Sequence, residues 1–252
     1  MADIFVAEHP GRAGSPRVVF VHGSLDRSTA FLRTIRLLDD VTAVRYDRRG
    51  YGKSVDAGVC ATFAEQVDDL AGIVGDEPSV LFGHSLGGVV ALAFAARHPE
   101  LAPAVVAYES PMAWLPWWSS ASAGAAALTS PGEAGDAAER FMRRMVGDER
   151  WEELPQRTRD QRRAEGPAPV AELRSIRAPA PPPYDPSELE VPVLAAHGSE
   201  SRPHHQRTAR VLAESAPLGE LHVVDGASHG VHLTHPGAVA GLVRSALRRR
   251  GA

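Results

Sequence analysis

The stretch Ser79-Val80-Leu81-Phe82-Gly83-His84-Ser85-Leu86-Gly87-Gly88-Val89-Val90-Ala91-Leu92-Ala93 sets a serine inside G-x-S-x-G, between two apolar runs. Ser79 to Phe82 read as the end of a buried strand, and Val89 to Ala96 as a helix packed on the same sheet. The turn between them must be sharp. Flanking glycines permit a strained backbone and a close approach of strand and helix, so the Ser85 hydroxyl projects above the sheet edge. That context makes Ser85 a candidate nucleophile.

Working outward, strand-like runs fall at Arg17 to Val21, Val41 to Tyr46, Ser79 to Phe82, Ala104 to Ala107, Val193 to Ala196 and Leu221 to Val224. Helical patterns lie between them near 28–38, 62–74, 86–98, 204–215 and 236–249. Such alternation predicts an α/β fold with a mostly parallel sheet flanked by helices, and sites at the carboxyl ends of its strands. Ile4 to Glu8 is expected to add an edge strand. Residues 113–185 break the rhythm with a tryptophan cluster, an Arg-rich helical stretch, and Pro179, Pro181, Pro182 and Pro183. This segment reads as a helical insertion, with the prolines as a stiff return to the sheet. The core domain is then 1–112 together with 186–252.

Bulk properties exclude several classes. The chain has 252 residues and a formal net charge of -4, so no basic field favours nucleic acid or an anionic membrane. A single cysteine, Cys60, leaves no internal disulfide and reads as a bystander. The start Met1, Ala2, Asp3 lacks a basic leader, and no apolar run reaches spanning length. The expectation is a soluble cytoplasmic protein, monomer or homodimer, acting on a small molecule.

The other chemical groups gather at strand ends. His22, Gly23, Ser24 and Leu25 follow the strand ending at Val21, where a backbone N–H of Ser24 or Leu25, with that of Leu86, can hold a tetrahedral oxyanion. His229, after the last strand, is the expected general base. Glu109 and Glu200 each end a strand between Ser85 and His229, and either carboxylate can orient the imidazole. Asp225 is too close to His229 in the chain to face it. His232 and His235 read as packing or capping residues, and no metal site is expected. The adjacent His204 and His205 are expected to point apart. Arg140, Arg143, Arg144, Arg157, Arg159, Arg162 and Arg163 read as a solvated helix face, with recognition of a substrate carboxylate as the alternative.

Taken together, His22-Gly23, Tyr46-Asp47-Arg48-Arg49-Gly50-Tyr51-Gly52-Lys53-Ser54, Gly83-His84-Ser85-Leu86-Gly87-Gly88 and Gly226-Ala227-Ser228-His229 resemble the α/β-hydrolase superfamily over nearly the whole chain. The resemblance gives Asp47 and Arg49 structural roles beside the oxyanion loop. Gly52-Lys53-Ser54 mimics the end of a P-loop, but Asp47 stands where its first glycine belongs, so no nucleotide site is expected. Relatives usually carry the acid as G-x-x-D, and Gly198-Ser199-Glu200-Ser201 puts serine in that place. The resemblance therefore favours Glu109, as in members whose acid ends the earlier strand, with Glu200 as the alternative acid. It also makes 113–185 a cap, with Trp114, Trp117 and Trp118 walling a site for an apolar or aromatic acyl part. The implied activity is cofactor-free hydrolysis of a carboxylic ester, thioester or lactone through an acyl-enzyme on Ser85. Other activities compatible with it are carbon–carbon bond hydrolysis, acyl transfer or cyclisation in secondary metabolism, and non-catalytic binding of a small molecule.

Overall fold

The computed structural model describes residues 4–120, 122–129, 132–177 and 181–250. Met1, Ala2, Asp3 and Pro179, singled out above, lie outside the described residues. Seven strands form one sheet in the order β1-β3-β2-β4-β5-β6-β7: β1 (Val6–His9), β2 (Arg17–Val21), β3 (Thr42–Tyr46), β4 (Ser79–His84), β5 (Val105–Tyr108), β6 (Val193–Gly198) and β7 (Gly219–Val224). Only β1, the edge strand expected near Ile4 to Glu8, is antiparallel to its neighbour. Parallel strands need crossovers that cover both faces, so the central strands are apolar on both sides.

The period of two sorts those side chains cleanly. Val19, Val44, Leu81, Val105 and Val193 face one helix layer, containing Phe63–Val74, Leu86–Arg97 and Pro203–Ser215. Val18, Phe20, Phe82, Val106 and Leu194 face the other, where Phe31, Ile35, Val239 and Val243 complete the core. Each fully buried side chain of this kind contributes about 1.5–3 kcal/mol relative to exposure. The helix Leu86–Arg97 is apolar all round, as expected of a helix buried on every side.

The helix expected over 28–38 is replaced by a 3-10 turn, Ser28–Phe31, running into one α-turn, Leu32–Ile35. The backbone N–H of Ser28 is drawn to Asp47 Oδ1 at 2.8 Å, and the chain turns again at Leu37 and Leu38 to enter β3. Between β5 and β6 run the helices Ala123–Thr129, Ala134–Val146, Asp148–Glu153, Gln156–Ala164 and Pro167–Arg177. Several arginines of the Arg-rich stretch are paired within this insertion: Arg163 with Asp136 and Glu139, both at 2.5 Å, and Arg159 with Glu152 at 2.6 Å. No helix among the described residues is long and apolar enough to cross a membrane.

Candidate active site

Ser85 stands between β4 and the helix Leu86–Arg97 with φ 54° and ψ −126°. Glycines make this possible by letting backbone meet backbone. A Cβ on Gly87 would collide with the Val21 carbonyl, and one on Gly83 with Gly88. Among the described residues the non-glycine residues with positive φ are Leu25, Ser85 and Glu109. All three lie just beyond the carboxyl ends of β2, β4 and β5, so local strain is concentrated where the chemistry-bearing side chains sit.

Glu109 and His229 are joined directly: His229 Nδ1 donates to Glu109 Oε2 at 2.6 Å. Glu109 is fully buried, and its other oxygen accepts from Gly198 N at 3.3 Å and from the Ser201 hydroxyl. Burial alone raises a carboxyl pKa. Here the His229 hydrogen bond and charge, with help from His205 and Ser201, outweigh it and hold Glu109 well below the usual carboxylate range. The carboxylate is therefore ionised and aimed at the imidazole, which fixes the tautomer with the proton on Nδ1 and leaves Nε2 to act as base. Ser201 occupies the position where the resemblance expects aspartate; its hydroxyl donates instead to Glu109, just beyond the neighbouring strand β5.

Ser85, Leu86, Ser24, Ser228 and His229 border one cavity of about 200 Å³. Among the described residues no hydrogen bond joins Ser85 to His229, a contact that in unliganded sites commonly tightens only when substrate is bound. The insertion walls one side with Phe141, Met145, Leu173 and Ile176, and the opposite rim carries Glu200, Arg202 and His204. Glu200 thus borders the cavity, but among the described residues no hydrogen bond or ion pair joins it to His229, whose carboxylate partner is Glu109. Of the three tryptophans expected as the wall, Trp118 borders this cavity. Trp114 instead packs edge-on against Tyr184 and borders a second, adjoining cavity, while Trp117 lies under the Arg207 guanidinium at 4.4 Å. The chain turns through residues 113–118 with hydrogen bonds Leu115 N to Met112 O and Trp118 N to Leu115 O, which sends the three rings in different directions.

Of the three backbone donors expected to form an oxyanion hole, Ser24 and Leu86 border the cavity, whereas Leu25 is buried outside its lining. Asp47 bonds Ser28 N at 2.8 Å and Lys53 N at 2.9 Å, and Arg49 pairs with Asp69 at 2.5 Å. Cys60 is buried, and burial followed by the nearby Asp69 pushes its thiol up to about 12, so it stays protonated.

Several functional neighbours were not foreseen. His204 and His205 do not point apart: their rings are 4.3 Å apart and both border the cavity, because the helix Pro203–Ser215 starts there and its first turn overhangs the strand ends. His205 lies stacked on His229 at 4.7 Å and 27°, and the His84 ring lies 4.7 Å from that of His229, tilted at 51°, while its Nε2 donates to the His229 carbonyl at 2.7 Å. Burial, followed by the charge of His229 for His205 and of His232 for His84, holds both rings well below the ordinary imidazole value, so both are neutral. His229 thus has two uncharged imidazoles in contact with its ring. His232 is buried 3.1 Å from Asp26, and His235 bonds Thr234 at 2.8 Å ahead of the helix Pro236–Arg249. The groups Glu109, His205, His229 and Asp26, His84, His232 are close enough to share an ion, but in each a carboxylate already contacts an imidazole directly.

Residues 18–242 match the family described as "Alpha/beta hydrolase family". The chain belongs to that family. Within it, this α/β hydrolase is 32% identical over 102 residues to a 2-(acetamidomethylene)succinate hydrolase of Mesorhizobium japonicum, covering 39% of this chain and 37% of that protein. It is 33% identical over 103 residues to lipase LipV of Mycobacterium tuberculosis, covering 38% of each. The matched stretch thus spans under two-fifths of the length of these relatives. Over 97% of the chain the hydrolase superposes on 96% of an enol-lactonase from Burkholderia xenovorans with a TM-score of 0.74 and 21% identity, a likeness of fold.

Proposed function

We propose that this α/β hydrolase cleaves a carboxylic ester, thioester or lactone through an acyl-enzyme on Ser85, with residues 113–185 as a cap over the core. The observation that carries the reading is the 2.6 Å bond from His229 Nδ1 to the buried Glu109, beside a strained Ser85 in the same cavity. Ser85 Oγ attacks the carbonyl carbon while its proton passes to His229 Nε2. The electron pair of the carbonyl moves to oxygen, and the resulting oxyanion is held by the N–H of Leu86 and that of Ser24 or Leu25. Collapse of the intermediate expels the alcohol, thiol or ring oxygen, which takes the proton from His229. Water, deprotonated by the same imidazole, then releases the acid and restores Ser85. Glu109 stays ionised throughout and stabilises the imidazolium. The apolar wall of Phe141, Met145, Leu173 and Ile176 suits an apolar acyl part, and the names of the relatives, a hydrolase, a lipase and a lactonase, accord with carbonyl chemistry.

Intact-mass labelling with a fluorophosphonate tests this directly. One adduct is expected on the wild type and none on Ser85→Ala, with ester turnover falling on the order of 10⁴-fold or more in that variant. A folded wild type that takes no adduct, or a Ser85→Ala protein that turns over normally, would overturn the mechanism.

A further inference from the structure

Ser24, at the cavity edge, and the buried Leu25 after it are both gripped through their side chains by the insertion. Ser24 Oγ donates to Glu172 Oε2 at 2.9 Å, and Leu25 packs with Tyr51 against Ala138 and Ala168. Leu25 has φ 55°, a left-handed conformation that a leucine keeps only where its surroundings impose it. Glu172 does more than meet Ser24. Its Oε2 also accepts from Tyr51 Oη at 2.7 Å, and its Oε1 accepts from Arg48 Nη1 at 2.5 Å.

Arg48 in turn holds the root of the same loop. Its Nε donates to the His22 carbonyl at 2.8 Å, and its backbone N–H donates to His22 Nε2 at 2.8 Å. One carboxylate from the helix Pro167–Arg177 therefore ties together the root and the tip of the loop after β2. Arg48 is 2% exposed and Glu172 4%, so water does not replace either partner when the tie is broken.

We propose that Glu172 is a positioning residue for the oxyanion loop, so that the donor from Ser24 or Leu25 is set in place only while the insertion is seated on the core. This rests on the serine-hydrolase reading above, in which that loop supplies an oxyanion donor. An insertion that merely walled the cavity would need the apolar contacts of Leu173 and Ile176 alone. A buried carboxylate that bridges Arg48 and Ser24 adds direction: the loop and the cap helix have one mutual arrangement that satisfies all three groups. The insertion then contributes to the rate of the chemical step as well as to the choice of substrate.

The test compares wild type, Ser24→Ala, Glu172→Gln and the double variant on p-nitrophenyl butyrate, with kcat expressed per active site titrated by fluorophosphonate. Each single variant is expected to lose about tenfold or more in kcat with KM within about threefold, as for an interaction felt in the transition state. Ser24→Ala should cost little further in the Glu172→Gln background, because the two changes remove one coupled interaction. Unchanged kcat in Glu172→Gln, or full multiplication of the two losses, overturns the positioning role. If Glu172→Gln does not fold, Ser24→Thr decides: recovery of kcat by the retained hydroxyl supports the role, and a loss equal to that of Ser24→Ala overturns it. A wild type that neither labels nor turns over any ester overturns the reading beneath and this inference with it, whereas an active wild type indifferent to Glu172→Gln overturns this inference alone.

Discussion

Between β2 and β6 the sheet buries valine, phenylalanine and leucine side chains on two faces with almost no charge among them. The insertion is built the other way. Its helices are laced by half-exposed pairs such as Arg163 with Asp136 and Glu139, and its buried hydrophobic positions are largely alanine, with Trp151, Ile176 and Tyr184 as the larger exceptions among the described residues. Exposed pairs contribute little each, so the helices of the insertion gain less from one another than the sheet gains from its core. The joint between the two regions differs from both. Glu172 meets Arg48, and Glu165 meets Arg27 at 2.6 Å and Gly52 N at 2.9 Å, all with the carboxylates buried. The lesson is a division of labour: apolar area holds the core, while a few buried charges fix where the insertion sits on it.

The strongest challenge to this contrast lies on the core side, at Glu109, the acid of the proposed mechanism. Glu109→Gln keeps the shape of the side chain but offers His229 no charge, and kcat is expected to fall about 10³–10⁴-fold. Glu200→Gln, at the rim, should change kcat by no more than about threefold. Steady-state rates of the two variants on one ester check this, and a reversed ranking would move the acid to the end of β6.

The choice between these glutamates shows how much of the site was legible in the sequence. The glycine-flanked turn at Ser85, His229 after the last strand and the two strand-end carboxylates can all be read locally, because each is fixed by a strand end and its next few residues. Ser201 in place of the expected aspartate was the signal that turned the reading to Glu109. Nothing local marks Glu172, Arg48 or His205. A glutamate in the polar pattern of the helix Pro167–Arg177 looks solvated until that helix is docked on a loop nearly 150 residues earlier in the chain. The directions of Trp114 and Trp117 were missed for the same reason: turn geometry, not residue type, decides which ring meets the cavity.

A pH series separates the two regions next. Burial, followed by the charge of Arg48, lowers His22 to about 4, against about 6.5 in an unfolded chain. The depressed folded value means that the stabilising contribution is full above pH 6.5 and is lost as pH falls from 6.5 towards 4, since the unfolded chain takes up the proton first. For this one residue the loss between pH 7 and pH 5 is about 2 kcal/mol. His84 and His205, also lowered, act in the same direction. The two carboxylates paired with Arg163 do not titrate in that window, because Asp136 and Glu139 are held below the ordinary carboxylate range, chiefly by Arg163 for Asp136 and by Arg143 and Arg163 against burial for Glu139. Urea unfolding at the two pH values should therefore show a falling stability that His22→Gln partly flattens, and hydrogen exchange should quicken in the β2 loop before the insertion helices. Equal pH dependence in wild type and His22→Gln would show that His22 does not set it.

The smallest effect tests whether the insertion chooses substrate independently of holding the loop. Trp118 borders the cavity with the apolar side chains of the insertion, whereas Trp117 stacks with Arg207 outside it, and the two rings are adjacent in sequence. On the proposed function, Trp118→Ala removes apolar surface from the wall that would receive the acyl part and should raise KM for a butyrate ester by roughly tenfold, on the scale of a side-chain contact of about 1–3 kcal/mol, with little change for acetate. Trp117→Ala should leave the butyrate-to-acetate ratio where it is. The informative quantity is that ratio, because a general loosening of the insertion would lower both rates through the loop tied to Glu172, while loss of a wall would change only the discrimination between chains.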